Sequence, residues 1–177
     1  SASASLTITV NPVNDIPVVN IPDFSFNEDT TLSFDLDNYV NDPDITTNND
    51  VITWMISGNN KISLSLTQNN VLTLTPELNF NGEETLTFTA TDSAGTSDTD
   101  DSLITIIAVN DIPILDFLGL SFILDGFRSN NAVIELDNFS FDPDIETNDD
   151  SLTYSVEETS TFDIEIQDNI STITVSY

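Results

Sequence analysis

Carboxylates repeated at fixed spacing are the residues of this sequence best suited to chemistry. Asp42-Pro43-Asp44-Ile45 follows Leu36-Asp37-Asn38, and Asp142-Pro143-Asp144-Ile145 follows Leu136-Asp137-Asn138. Each copy comes after an Asn-Asp-Ile-Pro tetrapeptide, at Asn14 to Pro17 and again 96 residues later at Asn110 to Pro113. Paired carboxylates with amide carbonyls nearby suit a hard cation such as calcium, which takes about six to eight oxygens. Pro43 and Pro143 restrict the backbone between the paired acids, so little entropy is left to lose on binding. Asp-Pro-Asp is also a turn former in its own right, because Asp accepts local backbone bonds and Pro presets the turn dihedral. Both readings of the loop stand at this point.

A period of this length means a tandem array of domains, and the strands that must position the acids are legible. Apolar residues alternate with Thr and Ser, most clearly at Leu86, Phe88 and Ala90, which predicts half-buried strands. The same period-two template fits Leu32/Phe34/Leu36, Ile52/Trp54/Ile56, Ile62/Leu64/Leu66, Leu72/Leu74 and Ile104/Ile106/Ala108, with a first strand near Phe24 to Phe26. Helical spacing is absent. Polar turns at Gly58 to Asn60, Gln68 to Asn70, Asn79 to Gly82 and Asp92 to Gly95 separate the strands. Two packed sheets with Greek-key crossings bury so many one-sided strands economically. The expected fold is all-β, tandem Ig-like or cadherin-like sandwiches.

The expected boundaries are residues 14–109 for a first repeat and 110–177 for a second. The second repeats the pattern through Val133 to Leu136, Leu152/Tyr154/Val156, Phe162/Ile164/Ile166 and Ile173/Val175, but has no counterpart of Asn79 to Ala108. Residues 1–13 carry Leu6-Thr7-Ile8-Thr9-Val10, which matches Leu103 to Ile107 and is expected to be the last strand of a preceding or partner domain. Fragment boundaries are the simpler explanation of this pattern; completion of another subunit's second repeat by strand addition is the alternative. The opening Ser1 to Ser5 reads as part of something longer.

Only Lys61 and Arg128 oppose 31 carboxylates, for a formal charge of −29 with no histidine. No basic patch exists to meet phosphate, so nucleic acid and anionic membranes are excluded as expected partners. Cations are the natural counterparts of such a self-repelling chain. The apolar fraction of 38% argues for folding over disorder. Without Cys there is no disulfide framework and no thiolate metal site, which leaves oxygen-ligated ions or plain packing. No apolar run is long enough to insert in a membrane.

The chain resembles the cadherin-like tandem repeats of bacterial and archaeal surface proteins. The resemblance rests on Val-Asn-Asp-Ile-Pro at Val13 to Pro17 and Val109 to Pro113, on Asn27-Glu28-Asp29-Thr30, on Asp42-Pro43-Asp44, on Asn79-Phe80-Asn81-Gly82 and on Thr91 to Gly95. It implies calcium between the bottom of one domain and the top of the next. One implied ligand set is Asn14, Asp15, Asp42, Asp44 and Asp92. The other is Glu28 and Glu83 from the base of the first repeat, Asn110 and Asp111 from the linker, and Asp142 and Asp144 from the second. In the second repeat Leu124 replaces Glu28, with Asp125 as its nearest acid, and the counterpart of Asp92 is missing.

Asp37, Asp98, Asp100, Asp101 and the Glu157-Glu158 pair read as solvated acids. Trp54 and Tyr154 read as equivalent core aromatics. Asn138-Phe139-Ser140 and Asn169-Ile170-Ser171 match the glycosylation pattern in a chain rich in Asn and Ser, where chance matches are expected. Catalysis has little to stand on, with no His, no Cys and no phosphate loop, and the chain is not expected to be an enzyme. The leading expectation is an extracellular, cell-surface structural or adhesive module, rigidified by calcium at its linkers, in an adhesin, S-layer or filament. Its expected partners are neighbouring repeats or identical subunits, with a surface protein or glycan as target. The alternative is a carbohydrate- or protein-binding accessory module of a secreted enzyme.

Overall fold

The computed structural model describes residues 4–11, 13–47, 49–117, 132–144, 152–155, 163–166 and 172–176. The chain divides into two compact units, Ser1–Ala108 and Val109–Tyr177.

The first unit contains β1 (Val18–Val19), β2 (Phe24–Asn27), β3 (Leu32–Asp35), β4 (Val40–Asn41), a single helical turn α1 (Asp44–Thr47), β5 (Thr53–Ser57), β6 (Ile62–Leu66), β7 (Val71–Pro76), β8 (Gly82–Thr91) and β9 (Ser97–Ile107). Strands β2, β9, β8 and β5 form one sheet in that order, and β3, β7 and β6 form the other. The chain is an Ig-like β-sandwich, as the alternation predicts. In β8 and β9 the pattern is followed closely: Leu86, Phe88 and Ala90 are buried, as are Ser102, Ile104 and Ile106, while the intervening Thr residues face outward. Ile62, Leu72 and Leu74 supply the facing layer. Phe24 stacks on Phe34 at 4.4 Å, and Tyr39 meets both rings edge-on. Trp54 is buried on β5 opposite Ala90.

Two details of connection fix where the loops open. β1 pairs with β4, whereas β2 pairs in parallel with β9, so the entering chain switches sheets between Val19 and Phe24. The turn into β6 passes tightly over β8: Gly58 has φ +96°, and a Cβ there would lie 2.5 Å from the Thr85 carbonyl.

Two sequence expectations are corrected. Leu36 ends its apolar alternation in a 3-10 turn, Leu36–Tyr39, yet is fully buried. A helical turn follows Asp42-Pro43 where no helical period exists, held by local bonds: Asp42 Oδ1 accepts from Asp44 N–H, and the Thr46 and Thr47 hydroxyls donate to the Pro43 carbonyl. Leu6 to Val10, expected to be the last strand of a preceding or partner domain, is paired with no strand of this chain, and Leu6, Ile8 and Val10 are exposed.

In the second unit the described strands are β10 (Ile114–Leu115), β11 (Ala132–Glu135), β12 (Ser140–Phe141), β13 (Asp163–Ile166) and β14 (Thr172–Ser176). The order β11-β14-β13 repeats β3-β7-β6, and the β10–β12 pair repeats β1–β4. Leu152 to Ser155 keeps an alternating burial but is not a strand, unlike its counterpart β5, which is laddered to β8.

Candidate metal centre

One end of the first unit gathers three chain segments. The linker precedes β1, the Asp42 to Asp50 loop follows β4, and the Asp92 to Thr96 turn joins β8 to β9. Hydrogen bonds tie them together in sequence. The Asn14 side-chain amide donates to Asp92 Oδ2 at 2.8 Å and to the Thr96 hydroxyl oxygen at 3.1 Å. Asp15 N–H donates to Asp44 Oδ2 at 2.7 Å, and Asp44 N–H to Asp42 Oδ1 at 2.8 Å. Asn14, Asp15, Asp42, Asp44 and Asp92 therefore meet at one place. Asp42, Asp44 and Asp92 are buried; Asn14 and Asp15 are exposed.

Asp50 joins them, a residue the sequence reading did not select. One oxygen from each of Asp42, Asp50 and Asp92 lies within 4.8 Å of the other two. A signal for Asp50 exists in the repeat: it stands eight residues after Asp42, and Asp150 stands eight after Asp142. Its Oδ1 accepts the Val51 and Ser93 N–H groups at 2.8 and 2.9 Å, joining the two loops. An open pocket of about 270 Å³ beside the cluster is lined by Asn14, Asp44, Asn49, Asp50, Ser93 and Ala94.

Hydrogen bonds hold Asp92 and Asp50 in their charged form. Asp92 is lowered from 3.8 to about 2, first by the Asn14 amide and then by the Thr96 hydroxyl and backbone, against the opposing effect of burial. Asp50 is lowered by its bonds to Ser93 and Val51.

A buried oxygen on each of Asp42 and Asp50, Oδ2 in both, has no hydrogen-bond partner. Orphaned carboxylate oxygens in a site built only of oxygen donors fit calcium and disfavour softer metals.

Glu28 and Glu83 lie at the other end of β9, which at eleven residues is roughly 35 Å long. Glu28 is 2% exposed, and its Oε2 accepts from the Asn81 amide at 3.5 Å, while its N–H reaches the Ile107 carbonyl. Glu83 is exposed beside Thr105, whose hydroxyl donates to it.

Within the second unit, Asn110, Asp111, Asp142 and Asp144 reproduce the linker bonds. Asn110 donates to the Asp111 carbonyl as Asn14 does to that of Asp15, Asp111 N–H donates to Asp144 Oδ2, and Asp144 N–H donates to Asp142 Oδ1. Leu124, Asp125, Asp150, Glu157, Glu158 and the Asn169 tripeptide lie outside the described residues.

A family model described as the bacterial Ig domain matches residues 14–106, more than half of the chain. The chain belongs to the bacterial Ig domain family. No curated protein matches it. Among solved structures it is similar to a nucleoside hydrolase-related hypothetical protein from Saccharophagus degradans associated with carbohydrate metabolism, at 18% identity and TM-score 0.43 over 53% of this chain and 26% of that one. It is also similar to an endo-fucoidan hydrolase of glycoside hydrolase family 107, at 18% identity and TM-score 0.41 over 90% and 29% of the two chains. A chimeric titin Z1Z2 matches at 10% identity and TM-score 0.37, over 92% and 82%. The chain thus spans under a third of the length of the first two, and none of these scores carries a functional argument.

The bacterial Ig domain here also holds its entering strand by acids that look solvated in the sequence. Asp98 and Asp100 of β9 accept the Val19 and Ile21 N–H groups at 2.9 and 2.8 Å, and Asp101 accepts from the Thr87 hydroxyl. Asp37 accepts from the Asn70 amide. Asp98 and Asp100 replace the ladder acceptors lost where the chain switches sheets.

Proposed function

We propose that this chain is an extracellular structural or adhesive module of a tandem-repeat surface protein, with calcium at the loops that receive its linkers. The observation supporting this most is the repeated linker cradle, in which Asp15 is held by Asp44 in the first unit and Asp111 by Asp144 in the second. A free tether needs no such anchoring. The oxygen-only donor set and the orphaned Asp42 and Asp50 oxygens support calcium as the ion. Bound calcium would supply two positive charges among acids that otherwise repel one another. The chain's own residues do the rest: Asn14 and Asp15 carry the linker to the loops, and Asp44 holds it there. No helix among the described residues is long and apolar enough to cross a membrane.

Small-angle scattering of the whole chain in calcium and in chelator tests this reading. The expected result is a longer, better-defined maximum dimension with calcium; an unchanged dimension would overturn it. A second reading, a glycan- or protein-binding accessory module, has support in an open groove of about 550 Å³ bordered by Asn20, Asn38, Tyr39 and Asn41. Tyr39→Ala should weaken retention on a glycan if that reading holds, and should leave calcium-dependent scattering unchanged.

A further inference from the structure

We infer that Asp50 is a calcium ligand, and that Asp42, Asp50 and Asp92 form a calcium site contained in the first unit, whose occupancy stabilises that unit. The inference rests on the calcium reading above but assigns the residues a different division of labour.

Three observations carry it. The three carboxylates come within 4.8 Å of one another although no basic side chain lies among them, and the one described basic residue, Lys61, is paired with Glu77 at 2.7 Å. Asp42 is only 5% exposed, and its Oδ2 is buried without a donor; Asp50 Oδ2 is likewise buried without one. Like charges drawn together out of water with unsatisfied oxygens need a counter-cation. The neighbouring acid is different. Asp44 is not one of the three whose oxygens converge; its Oδ2 accepts the Asp15 N–H and its Oδ1 the Thr47 hydroxyl at 3.2 Å, so it is a positioning residue for the linker.

The chemistry selects the ion. Three carboxylates from two irregular loops, with remaining positions open to water or backbone carbonyls, suit the flexible shell of calcium better than the strict octahedron of magnesium. The ion would join the loop between β4 and β5 to the turn between β8 and β9. Those connections lie within one sandwich, so binding adds to the folding stability of the first unit as calcium concentration rises.

The test uses the full chain and calcium chloride, with calorimetric titration, thermal unfolding and scattering on wild type, Asp50→Asn and Asp44→Asn. Asparagine at position 50 keeps an oxygen to accept the Val51 and Ser93 N–H groups, and Asp50→Ser serves as a second variant; calcium-free circular dichroism identifies variants that fold. The expected result is that Asp50→Asn lowers calcium affinity at least about tenfold and removes most of the calcium-induced rise in melting temperature. Asp44→Asn should keep affinity within about threefold, because its oxygens serve the Asp15 N–H and the Thr47 hydroxyl. Terbium luminescence lifetimes in light and heavy water should show about one more bound water in Asp50→Asn. If both folded Asp50 variants bind calcium like wild type while scattering still responds, the ligand assignment fails and the array reading survives. If wild type shows no saturable binding, both fail.

Discussion

In the first unit Pro17 and Val19 are buried, whereas Pro113 and Leu115, their counterparts 96 residues on, are exposed. The local wiring around these residues is the same in both places. Linker Asn bonds to linker Asp, linker Asp to the second acid of Asp-Pro-Asp, and the second acid to the first. Strand β1 pairs with β4 as β10 pairs with β12. In the first unit β1 packs against β8 and β9, and Asp98 of β9 accepts the Val19 N–H. The cradle joins residues 29 positions apart in the first unit and 33 in the second, and it forms in both. Burial of the strand beside it depends on residues about 80 positions away.

That comparison can be broken most forcefully at the core. Leu36→Ala, at a fully buried position, should cost about 2–5 kcal/mol in denaturant unfolding. The loss should appear in the transition of the first unit and leave any separate transition of the second unmoved; a uniform shift of both would show that the units do not unfold independently. Val19→Ala should cost roughly 2 kcal/mol through lost burial and a cavity. Leu115→Ala, half exposed, should stay within about 0.5 kcal/mol. Equal effects of the two substitutions would remove the contrast.

A smaller effect is expected at the clasp. Asp98→Ala leaves the Val19 N–H without its acceptor and should cost about 1–2 kcal/mol, with faster amide exchange at Val19 as the local readout. The smallest effect concerns acid. Asp92 is held near 2 in the folded unit against 3.8 as its ordinary value, so the unfolded chain binds the proton first. Its contribution is present above about pH 4 and is lost as pH falls toward 2. Asp92→Asn should flatten that part of the acid-unfolding curve of the first unit in chelator; an unchanged curve would show that the Asn14 and Thr96 bonds do not matter to folding.

Much of the sandwich was readable because strand burial has a period of two, which composition writes directly as Leu86, Phe88 and Ala90 against Thr. Asn14, Asp15, Asp42, Asp44 and Asp92 were readable as a set through their repeated or turn positions. Asp50 was not selected, since only folding brings it to Asp42 and Asp92, although its repeated eight-residue spacing was visible. Asp98 and Asp100 were misread for a related reason. An acid on a strand looks like a solvated edge until the backbone donors facing it are known, and those donors lie on β1 and just beyond it.

By itself the sequence determined the repeat, the all-β alternation and the acidic character. These depend on interactions between near neighbours or on side-chain type alone. Only the tertiary structure decided that β2 runs parallel to β9, that three carboxylates from two loops converge, that Asp44 serves the linker, and that Val19 is buried where Leu115 is exposed. Each of these pairs residues far apart in the chain, and the choice among such pairings is made by the packing of whole sheets.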